Sequence, residues 1–199
     1  TAKKIHLSDF ELVMAIGYDK EALEILKKKP EMKVVKINTP LEEVKISVRE
    51  EVKITPFGIL LQDADRGDFN KDTFKVVTKK KPTSEEIEDA IFAFKIAKHS
   101  KSKAVVIAKN FKMLSIAQGQ TSFADACDWV MTYACDDTKG SVMAYDGIID
   151  TVDGVHVATT GRVSLIIQAG NSYNEKEVIK ACDKYEIGMI TTGITHHKN

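Results

Sequence analysis

The stretch from Phe74 to Lys109, FKVVTKKKPTSEEIEDAIFAFKIAKHSKSKAVVIAK, leaves little freedom in what this chain can fold into. Pro82 closes a lysine-rich extended segment, and Thr83 with Glu86 three residues later forms a capping box. Ile87, Ala90, Ile91, Phe94 and Ala97 follow at helical spacing, which predicts a helix over Ser84–His99 with one buried face. A short polar link then leads to Ala104–Ala108, an apolar, β-branched run that reads as a buried strand. Strand, helix and strand with so little slack must pack as a helix laid on a sheet.

The remainder of the chain extends that pattern downstream and loses it upstream. Met113–Ala117 pairs with Ala104–Ala108 as a hairpin turning near Lys109-Asn110. Gly119-Gln120 breaks the chain, Ser122 with Asp125 offers a weaker cap, and Phe123, Ala126, Cys127, Val130 and Met131 mark the next helix. Val142–Ala144 and Leu165–Gln168 read as strands flanking a helical Val152–Thr160. Asn174 and Glu177 open a helix over Glu175–Tyr185, and Gly188–Thr191 is a last strand. The order is that of an α/β fold, a layered lobe around a buried sheet. Upstream, Lys20–Lys29 reads as a small helix with a lysine-rich end. Strands are expected near Lys33–Ile37, Val44–Val48 and Ile59–Leu61, with a turn at Thr39-Pro40 and a polar loop over Asp63–Lys71. These pieces look like the end of one unit, so the chain divides into residues 1–72 and residues 73–199.

Composition narrows the function classes. Lys+Arg and Asp+Glu both total 29, so no global field favours nucleic acid or an acidic membrane. No apolar run reaches the about 18 residues that span a bilayer. The first residues precede no apolar segment of signal-peptide type, and the opening on Thr1 instead of Met points to a longer reading frame. The three cysteines, Cys127, Cys135 and Cys182, are scattered, which argues against a disulfide framework or zinc knuckle and for a reducing cytoplasm. Cys127 and Cys182 fall within helical patterns and read as core thiols.

No phosphate loop, dinucleotide fingerprint or His-Glu-x-x-His element is present. Zinc-deaminase elements are also lacking, so no catalytic metal is expected. His196-His197 offers two imidazoles to a metal, but beside a chain end they read as solvated. Lys79–Lys81 reads as a solvated run that protects a strand edge. Ser115–Phe123, SIAQGQTSF, leaves two readings open: Gly119 makes a turn and nothing more, or the following helix start holds an anion or carboxamide.

The assembled wording resembles the C-terminal part of the AICAR transformylase domain, from the bifunctional purine-biosynthesis enzymes that also carry IMP cyclohydrolase. The matching phrases are the Phe74–Lys109 stretch, Gly119-Gln120-Thr121-Ser122, Gly140-Ser141-Val142-Met143-Ala144, and SLIIQAGNSYNEKEVIKACDKYEIGMI. FELVMAIGYDKEALEILKKKPEMKVVKI resembles the end of that domain's first lobe, and FGILLQDADRG the connection between its lobes. The resemblance implies two cytidine-deaminase-like lobes, of which residues 73–199 would be the second. It implies formyl transfer from 10-formyltetrahydrofolate to the 5-amino group of a purine ribotide carboxamide, in a homodimer whose site is shared between subunits. It also places a Lys-His pair and an Arg-Tyr-Gly phosphate motif upstream of Thr1, where a separate N-terminal chain could supply them.

Carried over position by position, the resemblance makes Asp153 and Lys103 the catalytic candidates. Gly119, Gln120, Ser122, Asp146, His196 and Lys198 are the substrate-binding candidates. The family's Lys-Ser-Asn-Ala reads Lys101-Ser102-Lys103-Ala104, and its Gly-Gln-x-Ser-Arg ends in Phe123. Its Ser-Asp-Ala-Phe-Phe-Pro-Phe-x-Asp-Gly becomes Tyr145–Gly154, which keeps both carboxylates and loses the aromatic wall. The closing Arg-x-Phe-x-His becomes Thr195–Asn199. A charge-assisted contact contributes roughly 1.5–3 kcal/mol, so several such losses remove powers of ten in rate. The expectation is a kept fold with weak or no activity in this chain alone. Its alternatives are a non-catalytic purine-ribotide or folate binding or assembly module, and a half-site completed by another chain.

Overall fold

The computed structural model describes residues 1–39, 50–67 and 70–198. The expected strand at Val44–Val48 and Pro40 of the expected turn lie outside them. The chain divides into two compact units, Thr1–Ala64 and Asp65–Asn199. The division falls before the 72/73 boundary read from sequence because Asp65 and Gly67 are tied to the second unit. His196 Nδ1 lies 2.7 Å from Asp65 Oδ2, and Lys98 Nζ donates to the Gly67 carbonyl at 2.6 Å.

In the first unit, helix α1 (Ala2–His6) precedes strand β1 (Leu12–Ala15), helix α2 (Lys20–Leu26) and strand β2 (Lys33–Lys36). β1 and β2 pair in parallel across α2. Strand β3 (Glu50–Thr55), which the sequence reading did not separate, forms an antiparallel hairpin with β4 (Gly58–Asp63). Apolar burial here is slight. Leu26 and Met32 are buried, while Ile54, Ile59 and Leu61 on one face of the hairpin are more than half exposed.

The second unit carries the sheet. Its elements are β5 (Lys75–Val76), α3 (Ser84–His99), β6 (Val105–Lys109), β7 (Lys112–Ala117), α4 (Phe123–Tyr133), β8 (Val142–Tyr145), α5 (Asp153–Thr160), β9 (Leu165–Gln168), α6 (Glu175–Lys184) and β10 (Gly188–Thr191). The strand order is β5-β10-β9-β8-β6-β7. β8, β9 and β10 run parallel, while β6 is antiparallel to both β7 and β8. The alternation of side chains along β6 explains the layers. Val106 and Ala108 pack with Ala90, Ala93, Phe94 and Ala97 of α3, whereas Val105 and Ile107 pack with α4, α5 and α6. Alanines on both sides of the α3 contact let that helix lie close to the sheet. Cys127 and Cys182 are fully buried in the opposite layer, as their helical positions predicted, and burial pushes the Cys182 thiol up to about 12.

Local signals worked through identifiable atoms. At α3, Thr83 Oγ1 accepts from the Glu86 N–H and the Glu86 carboxylate accepts from the Thr83 N–H, the complete capping box. Asn174 does not cap α6 with its side chain. Its Nδ2 instead donates to the Asp150 carbonyl at 3.1 Å. The β6–β7 turn has no glycine, although Asn110 and Phe111 both have positive φ, 53° and 54°. Asp89 of α3 compensates. Its buried carboxylate accepts from the Asn110 and Phe111 N–H groups at 2.7 and 2.8 Å. Asp89→Ala should therefore lower stability by about 2–3 kcal/mol, and Asp89→Asn by less. Denaturant unfolding checks this; a loss under about 0.5 kcal/mol for the alanine variant would mean the turn stands without the carboxylate.

Candidate functional site

One end of the second unit's sheet opens into a cleft of about 730 Å³, lined among others by Ser102, Lys103, Ser122, Asp146, Asp153 and His196. Asp146 follows the last residue of β8 and organises the floor. Its N–H donates to the Ala104 carbonyl at 3.2 Å, and its Oδ1 accepts the Ala104 N–H at 3.0 Å. Oδ2 accepts the Ser102 hydroxyl at 2.6 Å. The carboxylate is buried, which raises its pKa, while Ser102 and the Ala104 N–H pull in the opposite direction.

Thr195–His197 form a wall of this cleft; His196 is buried, in contrast to the solvated pair expected from sequence, while His197 is exposed. The His196 N–H donates to the Asp146 carbonyl at 2.9 Å. The Ser102 N–H donates to the Lys198 carbonyl, and the Lys198 N–H donates back to Ser102 Oγ at 3.0 Å. The His196 ring is 1% exposed, packs edge-on against Phe94 and meets Asp65 through Nδ1. Burial lowers its pKa despite the nearby Asp65 carboxylate, so the neutral ring donates Nδ1–H to Asp65. His196 thus anchors the wall through two contacts that its sequence position did not suggest. Among the described residues no group of three His, Cys, Asp or Glu side chains is placed to hold a metal.

Opposite stands the N-terminus of α4. Ser122 Oγ accepts the Asp125 N–H and donates to Asp125 Oδ2 at 2.7 Å, and Thr121 Oγ1 donates to the same oxygen. These bonds, Ser122 first, hold the Asp125 carboxyl below its usual range. The Gly119 and Gln120 N–H groups turn away and donate to the Lys101 and Lys103 carbonyls. Neither residue lines the cleft. Gly119, with φ of 66°, makes the turn. Lys103 Nζ reaches across to the Thr121 carbonyl at 2.9 Å, and Lys198 Nζ reaches the His99 carbonyl outside the cleft.

A third wall, Gly147–Asp153, is held from behind. The buried Gln168 at the end of β9 accepts the Ile149 N–H at 3.1 Å and the Gly170 N–H at 2.8 Å through one oxygen. The Ala169 N–H adds a bond to the Gly147 carbonyl, and Asn174 holds Asp150. Ile149 points into the core, whereas Ile148 is 40% exposed beside the cleft. Asp153 is exposed in the first turn of α5, where a carboxylate suits the helix dipole. Phe123 does not present itself as a ligand group. Its ring fills the space above Gly154, where an added Cβ would stand 2.1 Å from it.

Sequence reasoning left out Asp65 and Gln168. A polar residue closing the apolar run Leu165-Ile166-Ile167 was the available signal for Gln168; nothing local marked Asp65, whose partner is 131 residues away.

The family model described as "AICARFT/IMPCHase bienzyme" matches residues 1–133. "Bifunctional purine biosynthesis protein PurH" of Acetivibrio thermocellus is 37% identical over the whole chain, and that of Caldicellulosiruptor saccharolyticus 39%. The Dictyostelium discoideum protein of the same description is 33% identical over 97% of the chain. This chain spans 38% of the length of the two bacterial relatives and 36% of the third.

The titration of His196 sets a pH dependence. Its folded pKa lies below the ordinary 6.5, so below that pH the unfolded chain takes up a proton that the folded one resists. Stability is fully present above pH 6.5 and should fall as pH drops toward the folded pKa. Asp146, raised from 3.8, acts with the opposite sign, favouring the fold at lower pH. His196→Gln should flatten the decline below pH 6.5, read as melting temperature against pH. An unchanged slope would show that the ring titrates freely.

Proposed function

Since this chain belongs to the AICARFT/IMPCHase bienzyme family of purine biosynthesis, we propose that its cleft is the ribotide side of a formyltransferase site. The reading rests on one observation. Lys103, Ser122, Asp146, Asp153 and His196, taken from separated stretches of sequence, converge on the same cleft. The sheet order and the helices on both faces support a cytidine-deaminase-like lobe over residues 73–199; in the same reading residues 1–72 are the end of a first lobe with its connection.

In this reading a purine ribotide carboxamide lies along the cleft and 10-formyltetrahydrofolate is the formyl donor, in a cytoplasmic homodimer. The formyl carbon forms a new C–N bond to the ligand's 5-amino nitrogen as its bond to the donor nitrogen breaks; the amine gives up one proton and the leaving tetrahydrofolate nitrogen takes one up. Asp153, exposed at the cleft, is placed to accept or order that amine hydrogen. Lys103 offers positive charge at the rim, with its Nζ already oriented by Thr121. The Ser102–Asp146 pair holds the floor in place and touches the ligand only through its outer surface.

Catalysis by this chain alone is weak in this reading. Phe123 occupies the cationic position of the family motif and packs on Gly154, so an anionic group finds no arginine there. Calorimetry with AICAR and a formyl-transfer assay test the proposal together. Binding should be measurable, with turnover several powers of ten below that of a complete family enzyme. Asp153→Asn should weaken binding about three- to tenfold, and Cys127→Ala should not. No binding by the wild-type chain would overturn the assignment.

A further inference from the structure

Tyr145 stands where β8 ends, between Phe123 and the Gly147–Asp153 wall. It is 4% exposed and lines the cleft. Its ring lies 4.6 Å from that of Phe123, tilted by 42°. Two glycines leave room for the pair. A Cβ on Gly154 would collide with Phe123, and one on Gly147 would stand 3.0 Å from the Tyr145 ring and 3.1 Å from its hydroxyl oxygen.

A phenol this deeply placed ordinarily uses its O–H, because leaving it unmet in an apolar setting is costly. The Tyr145 hydroxyl bonds to no group among the described residues. It is not sealed from solvent, and the residue lines the cleft. Burial, then the charges of Asp146 and Asp150, push its ionisation well above the ordinary range, which keeps the proton on the oxygen.

The surroundings select what this donor can meet. Asp146, Asp150 and Asp153 line the same cleft, and a negatively charged acceptor would be repelled by them. A neutral acceptor is not. The tilted Phe123–Tyr145 ring pair and the exposed Ile148 give the cleft an apolar, partly aromatic lining against which a ring can pack.

We propose that the Tyr145 hydroxyl is a specificity-determining donor of this cleft and recognises a neutral carboxamide oxygen on a planar ligand. The proposal rests on the reading of the cleft as a ribotide carboxamide site and identifies the part of the ligand it reads. Amine hydrogens on the same ring then face Asp150 or Asp153, so an amino-carboxamide heterocycle satisfies both sets of groups.

The test is calorimetry of wild type and Tyr145→Phe with AICAR, with its nucleoside, and with the aminoimidazole ribotide that lacks the carboxamide. The variant should bind AICAR and the nucleoside about three- to tenfold more weakly, the effect of one lost hydrogen bond. Its affinity for the ribotide without a carboxamide should match wild type. The unliganded melting temperature should not change, because the hydroxyl bonds nothing within the protein. Wild-type affinity of the variant for AICAR overturns this inference and leaves the cleft assignment standing. Equal weakening for the ligand without a carboxamide also overturns it, as does a clear drop in the unliganded melting temperature. Failure of the wild-type chain to bind AICAR or the nucleoside overturns both readings.

Discussion

Asp146 does with one residue what a strand pair normally does with two. β6 and β8 run antiparallel, and past Tyr145 the ladder would end with the Ala104 N–H unpaired in a buried place. Asp146 continues it by donating its own N–H to Ala104 and returning its carboxylate to the Ala104 N–H. The second carboxylate oxygen then captures Ser102, and the main-chain carbonyl captures His196. Three chain segments far apart in sequence are thereby fastened to one buried group. Removing the carboxylate would leave a buried N–H and a hydroxyl without partners, at a cost of about 1–3 kcal/mol for each. The cleft exists because these segments cannot drift apart.

Much of this architecture was legible because it is local. The Ser84–His99 helix carries its own cap and period, and the structure has it over those same residues. The strands of the second unit announced themselves by apolar runs too short for helices. The first unit was less legible, since its strands are short and little buried, so apolar periodicity marks them weakly. At the cleft, sequence identified positions better than roles. Lys103, Ser122, Asp146, Asp153 and His196 line one cleft, whereas Gly119 and Gln120 spend their N–H groups on the link between α3 and β6. That pairing depends on where Lys101 and Lys103 run in space, and spacing along the chain does not encode it.

His196 shows the same limit from the other side. Adjacent histidines beside a chain end carry every sign of a solvated tail. Phe94 of α3, Asp65 and the Asp146 carbonyl together hold His196. None of those partners is near in sequence, and each would be weak alone. The role of Phe123 is likewise intelligible only in space. The ring uses a gap that Gly154 leaves open and adds packing between α4 and α5.

The Asp89 clasp has a consequence for the order in which the lobe assembles. A two-residue hairpin turn with positive φ at both positions ordinarily relies on glycine, and an Asn-Phe pair closes such a turn reluctantly. The carboxylate that meets both N–H groups belongs to a helix that must already have formed and docked. The β6–β7 turn therefore depends on the docked α3. Assembly in which the capped helix forms before β7 would show as kinetic φ-values in α3 higher than those in β7.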